Sequence, residues 1–297
     1  MIHHISKVML NTKGEAQLFV FGDKQRGGAG YSGEVWQEFE RQWKAASNPY
    51  GLGVGDYGDW LRPSMRERLY ATLQKDDSAR QQLDNMVIKD HDDIIDEMEF
   101  MKGKLIGLHE GHHNHTFLAG GNTDQRLASA LKTTYLGWQA DTRLVLTYPS
   151  HSSPWSRVYT LLSTHGSANS AKVGGSANWM EDKMVGAWVA DHYIMGHGCK
   201  NANFVPCERK TVRRSGPPGI DTSLPRCLIV GGFSQGYTDG FTSSYVERKN
   251  MKPQPLGWGV IRFKRVQRRA AQLAEGLPAL GSRTIAVEQI NVTPGDL

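Results

Sequence analysis

The stretch Leu105-Ile106-Gly107-Leu108-His109-Glu110-Gly111-His112-His113 is a short apolar run that breaks into a cluster of histidines. Runs of this length, bounded by Gly or polar residues, are what strands buried on both faces look like. The same pattern recurs along the chain. Leu18 to Phe21 leads into Gly22-Asp23, and a Gly-rich run precedes Gly55-Asp56. Val158 to Leu162 leads into Thr164-His165-Gly166, and Tyr193 to Met195 into Gly196-His197-Gly198-Cys199. Each run ends next to a residue type that binds metals.

Between these runs, Pro63 to Lys102 is rich in charged residues. Its Leu69, Leu73, Leu83, Val87, Ile94, Ile95 and Met98 fall at helix-like intervals. Gln125 to Leu131 and Trp179 to Val189 also read as helices, whereas Arg209 to Pro225, with Gly216-Pro217-Pro218-Gly219, reads as a long loop. Strands alternating with helices give an α/β fold, and ligands in open α/β sheets bind beyond the carboxyl ends of strands. All the strand-end residues would then face one crevice.

At 297 residues the chain has room for one large α/β domain or two modest ones. The histidines and charges before Leu18 break up any signal-peptide apolar region, and no segment approaches the length of a membrane span. Three cysteines, Cys199, Cys207 and Cys227, make no disulfide framework and fit a reducing compartment, so a cytoplasmic location is expected. Charge is uneven within the net +5: from Glu208 to Arg269 there are thirteen Lys/Arg against four Asp/Glu. A basic carboxy-terminal third suggests either attraction to a polyanion or a solvated face.

Carboxylates and imidazoles gathered at one crevice suit a pair of divalent cations that activate water and stabilise charge on a phosphate ester. Such a set favours Mn, Fe, Zn or Ni over Ca, whose sites are nearly all oxygen. In order, Gly22-Asp23-Lys24-Gln25, Gly55-Asp56-Tyr57-Gly58-Asp59, Gly111-His112-His113, Thr164-His165-Gly166 and Gly196-His197-Gly198-Cys199 resemble the motifs of the calcineurin-like metallophosphoesterases. The resemblance spans roughly Leu18 to Asn203. It implies a four-layer α-β-β-α sandwich, two facing mixed β-sheets with the metal site at strand ends, as a single domain over residues 1–297. The motifs lie within 18–203, and the basic part, 204–297, completes the second sheet.

By the same resemblance Asp23 and Gln25 bind one metal and Asp56 bridges both. His112, His165 and His197 bind the second, Cys199 takes the place of a further ligand, and His113 is the catalytic His. Asp59 has a supporting role. Three positions depart from the family pattern: Gln25 stands where His is usual, His112 where Asn is, and Cys199 where the second His of GHxH is. The second metal site is therefore better furnished than the first. Asn114-His115 offers a second register, with His115 as the catalytic residue. His91, His151 and His192 are expected to be hydrogen-bonded structural residues.

The expected reaction is hydrolysis of a phosphate ester by in-line attack of metal-bound hydroxide, with a phosphodiester of nucleic acid or a nucleotide favoured over a phosphoprotein. Gly166 to Ser176, rich in Gly, Ser and Ala, is expected to be flexible and to approach the substrate. Tyr245 to Val266 looks like the sheet-closing end of phage-type members of the family.

Two other readings are open. A phosphoesterase fold retained only to bind nucleic acid would use Arg262, Lys264, Arg265, Arg268 and Arg269 as phosphate contacts. Gly232-Phe233-Ser234-Gln235-Gly236 fits G-x-S-x-G, but no His follows it in the chain, as a serine hydrolase of that type requires.

Overall fold

A computed structural model of the chain describes residues 1–60, 77–149, 155–167, 172–198, 200–212, 219–237, 247, 252–253, 255–266 and 284–293. Strand β1 is Ile2–Met9, β2 Glu15–Phe21, β3 Pro49–Gly53, β4 Leu105–His109, β5 Tyr135–Gly137, β6 Gln139–Tyr148 and β7 Trp155–Thr164. The series continues with β8 His192–Met195, β9 Ala202–Phe204, β10 Arg209–Val212, β11 Ile220–Ser223, β12 Arg226–Ile229, β13 Trp258–Val266 and β14 Thr284–Val292. Four helices are described: α1 Gly33–Ala45, α2 Asp77–Met98, α3 Thr123–Ala130 and α4 Val173–Met180.

Two six-stranded mixed sheets result, in the orders β1-β6-β7-β8-β12-β9 and β14-β13-β2-β3-β4-β5. Alternation along the buried strands sorts their side chains into layers. On β2, Leu18 and Val20 face the other sheet, where they join Leu52, Leu144, Leu161, Ile194, Leu228 and Phe263 in the central core. Phe19 and Phe21 point the opposite way, toward Trp36, Phe39 and Trp43 of α1 and Ile94 and Met98 of α2. The second sheet does the same: Leu161 and Ile194 face inward, while Leu162, Tyr193 and Met195 pack on Met180 of α4 and on Met184. Helix, sheet, sheet, helix is therefore the layer order, as the sequence resemblance implied. Each large side chain buried in this way stabilises the fold by about 1.5–3 kcal/mol.

Helix α1 starts where Ser32 accepts a hydrogen bond from the Val35 N–H. In α3, Asn122 and Gln125 close a capping box, so this helix begins two residues before Gln125, where the sequence places its start.

Two expectations are corrected. Arg209 to Pro225 is not a plain loop, because β10 and β11 pair as an antiparallel ribbon within it. The helix expected over Trp179 to Val189 instead starts at Val173 and ends in a π-turn, Glu181–Val185, so the expected flexible stretch is helical from Val173 on. His3 and His4 lie on β1, an edge strand running parallel to β6. Of the helix expected over Pro63 to Lys102, residues 63–76 lie outside the described residues, and α2 with a short 3-10 turn, Glu99–Met101, accounts for the rest. No described helix is long and apolar enough to cross a membrane.

Strand direction fixes the position of the functional loops. β2, β3 and β4 run parallel, as do β7, β8 and β12. The loops carrying Asp23, Asp56, His112, His165 and His197 thus all follow carboxyl ends. β13 runs antiparallel to β2, with Gly259 opposite Val20 and Lys264 opposite Glu15. Its basic residues therefore sit at the other end of the sheet from Asp23. There Lys264 pairs with Glu15 at 3.1 Å and Arg262 with Glu288 at 3.3 Å, while Arg265 lies 4.3 Å over the Tyr148 ring. Arg268 and Arg269 lie outside the described residues.

Candidate metal centre

Asp56, His112, His165 and His197 bring one ligand atom each within 4.8 Å of all the others. Among the described residues this is the one group of His, Cys, Asp or Glu side chains so arranged. Asp56 and His165 are fully buried, and His112 and His197 are partly exposed. The three imidazoles crowd one another, with ring centroids 4.2 Å apart for His112 and His197, 4.8 Å for His112 and His165 and 5.0 Å for His165 and His197.

His165 shows what such a cluster demands. Its Nδ1 lies 2.7 Å from the Val54 carbonyl, so Nδ1–H donates there and Nε2 is left with a lone pair. That lone pair lies 3.2 Å from Asp56 Oδ2, yet Nε2 makes no hydrogen bond. Two acceptors this close in a buried place need a positive charge between them, either a proton or a cation. Burial works against a charged His165, but the Asp56 and Asp23 carboxylates hold its pKa above the ordinary value. Burial likewise disfavours ionised Asp56, and His165 and His113 outweigh it, keeping the carboxyl below its usual range. His197 is pushed down to about 3 by burial and then by His165 and His112, so it presents the neutral imidazole that metals bind.

Backbone conformation aims these side chains. Asp23, Gln25, Asp56 and His197 all have left-handed backbones, with φ of 48°, 47°, 55° and 51°. Such values are uncommon outside glycine and mark functional sites when they cluster. At Gly111 a Cβ would stand 2.1 Å from both the backbone N and Oδ1 of Asp56, so only glycine lets this loop close on the carboxylate. Gly111→Ala should push Asp56 out of place and weaken metal binding at least tenfold, as read by metal titration of folded protein. The strain of overpacking adds about 1–3 kcal/mol of lost stability in a chemical unfolding series.

The candidate catalytic residue lies beside the cluster. The His113 N–H donates to Asp56 Oδ1 at 2.9 Å, and its Nδ1 meets Asp59 Oδ1 at 2.6 Å. Nε2 is left turned inward, 3.9 Å from Asp56 Oδ2. Burial alone would lower the His113 pKa, but the Asp59 hydrogen bond and the Asp56 charge raise it. His115 goes elsewhere, as its buried Nε2 sits 2.7 Å from Asp84 Oδ1 on α2. Of the two registers, only that of His113 reaches the cluster.

The first-metal set is less complete. Asp23 is buried and beside the group but not within it, and its Oδ2 makes no hydrogen bond. Burial pushes its pKa up, with Asp56 adding to the effect. Gln25 joins the site through its backbone, donating its N–H to the Asp56 carbonyl at 2.9 Å. Cys199 lies outside the described residues.

The remaining histidines serve the frame. His109 spans the two sheets: its Nδ1–H donates to the Gly137 carbonyl at 2.9 Å, and its Nε2 is 2.7 Å from the Ser163 hydroxyl on β7. Burial lowers its pKa to about 4. His91 sits against Arg126 and His192 against Gln289, as structural residues would. His151 lies outside the described residues. Ser234 bridges to Tyr31 in a bend, not at the start of a helix. The neighbouring Phe233 N–H donates to the Asp23 carbonyl at 3.1 Å, which ties this Gly-rich turn to the metal loop.

Several supporting residues escape a sequence reading. Lys24 is wholly buried, with Nζ 2.6 Å from Glu97 on α2 and 4.0 Å from the Trp36 ring. Arg26 reaches the same Glu97 at 2.6 Å, so the loop after β2 is clamped to α2 on both sides of Gln25. Asp124 accepts the Gly111 N–H at 2.9 Å, and its burial raises its pKa to about 7. Acids on a helix are common; only the tertiary structure shows which ones turn inward.

No family model matches the chain, and no curated protein does. Fifty chains of solved structures match. Vps29 from Chaetomium thermophilum shares 9% identity over 94% of this chain and 97% of its own, with a TM-score of 0.36. A predicted phosphoesterase from Streptococcus pneumoniae shares 12% over 94% and 98%, with a TM-score of 0.32. The NAD nucleotidase of Haemophilus influenzae shares 11% over 94% of this chain and 50% of its own, with a TM-score of 0.35. At such values these likenesses carry no argument about what this chain does.

Proposed function

We propose that this protein is a metal-dependent phosphoesterase that cleaves a phosphodiester of a nucleotide or nucleic acid by in-line displacement. The observation that supports it most is the buried meeting of Asp56 Oδ2 and His165 Nε2, two acceptors with no hydrogen bond between them, inside a four-residue ligand cluster. One carboxylate and three imidazoles suit Mn, Fe, Zn or Ni. Asp56, His112, His165 and His197 would hold one ion, and Asp23, with Gln25 and Cys199, a second that shares Asp56. Bound there, the ions would neutralise the ester's charge and make a water acidic enough to attack at neutral pH.

The chain's own groups do the rest. Asp59 accepts the Nδ1–H of His113 and so presents Nε2 to the cluster. From there His113 can donate to a phosphoryl oxygen or protonate the leaving oxygen. The basic residues of β13 stand at the far end of the sheet and take no part in this reading.

Purified protein should take up Mn, Fe, Zn or Ni and hydrolyse bis(p-nitrophenyl) phosphate. Metal analysis together with a colorimetric assay checks this, and neither bound metal nor turnover with any of the four ions would overturn it.

A further inference from the structure

Trp138 is left 40% exposed beside the metal cluster, although a large apolar ring is ordinarily worth burying. Its ring meets that of His112 edge-on at 4.5 Å and that of His165 at 5.5 Å. Trp138 also has an unusual place in the chain. It is the single residue between β5, at the edge of one sheet, and β6, inside the other. Its carbonyl accepts the His165 N–H at 3.3 Å and the Thr164 hydroxyl at 3.0 Å. The backbone of Trp138 is thus fixed to the frame that carries His165, and its ring stands against those of His112 and His165.

A partly exposed aromatic ring on a fixed backbone, next to a cluster that would bind a phosphate, is suited to stack on a planar group attached to that phosphate. With its backbone already held, less has to be ordered on binding, which favours affinity. We propose that Trp138 is the platform on which the planar group of the substrate stacks, so that the site takes nucleotide-like esters in preference to those of simple sugars or alcohols. This rests on the phosphoesterase reading for where the phosphate sits. The competing role is a buttress: Trp138 would only hold the His112 ring in place, and its loss would disturb every ligand equally.

Calorimetric titration of the metal-loaded protein with adenosine 5′-monophosphate and with ribose 5-phosphate separates the two, because the probes share the sugar phosphate and differ at C1′, where one carries the base and the other a hydroxyl. The unaltered protein should bind the nucleotide about tenfold more tightly, the order of one base–aromatic stack. Trp138→Ala should lose this advantage while its affinity for ribose 5-phosphate and its metal content stay the same, and Trp138→Phe should keep most of it. Absence of the base advantage from the unaltered protein, its survival in Trp138→Ala, or an equal loss for both probes would overturn the proposal. The titration reads base recognition without turnover. Failure to hydrolyse any ester would count against the phosphoesterase reading, and loss of base discrimination only against the role of Trp138.

Discussion

Asp56→Asn is expected to lower turnover of bis(p-nitrophenyl) phosphate roughly a thousandfold, the equivalent of about 4 kcal/mol at about 1.36 kcal/mol per factor of ten. The substitution keeps the shape of the side chain and removes its charge. Asp56 is the only carboxylate in the four-residue cluster, and its Oδ2 faces His165 Nε2 at 3.2 Å. An amide there gives three crowded imidazoles no anion to offset a bound cation, so metal content should fall together with rate. The variant should still fold, because a neutral His165 beside a neutral amide leaves no stranded buried charge. Circular dichroism checks the fold and elemental analysis the metal. A variant that keeps a tenth of the activity would remove Asp56 from the centre.

His113→Ala should behave differently, with turnover falling about a hundredfold to ten-thousandfold while metal content stays near normal. The reason lies in which atoms of His113 do what. Its backbone N–H, the donor to Asp56 Oδ1, survives the substitution, so the metal loop keeps its geometry. Only the imidazole is lost, and with it the Nε2 that Asp59 turns toward the cluster. Rate measurements paired with metal analysis decide the matter. Loss of metal along with rate would make His113 a structural support, and unchanged rate would place the proton donor elsewhere.

How much could be read in the sequence followed from burial. β2, β4, β7 and β8 pack between layers, so their apolar runs stand out, and the resemblance in motif order supplied the two-sheet architecture. β1 is an edge strand whose outward residues, His3, Ile5, Lys7 and Met9, are exposed, so it carries no such run. The β10–β11 ribbon hides for a similar reason, with Val212 and Ile220 both facing solvent. Gly174 and Gly175 disfavour a helix, yet α4 includes both because Met180 packs in the core that its neighbours form. Ligand types and order were legible around the site, but how they are held was not. Nothing in Gly-Asp-Lys-Gln shows that Lys24 turns inward to Glu97, or that Trp138 would stand against His112.

The left-handed backbones at Asp23, Asp56 and His197 bear on how such a protein evolves. Each costs on the order of 1–3 kcal/mol relative to a relaxed residue, and glycine would relieve the strain at any of them. Mutational drift screened for thermal robustness alone would therefore favour glycine at these positions and yield a sturdier chain without these side chains. Asp56 and His197 thus keep in the cluster, at a cost in stability, side chains that glycine would remove.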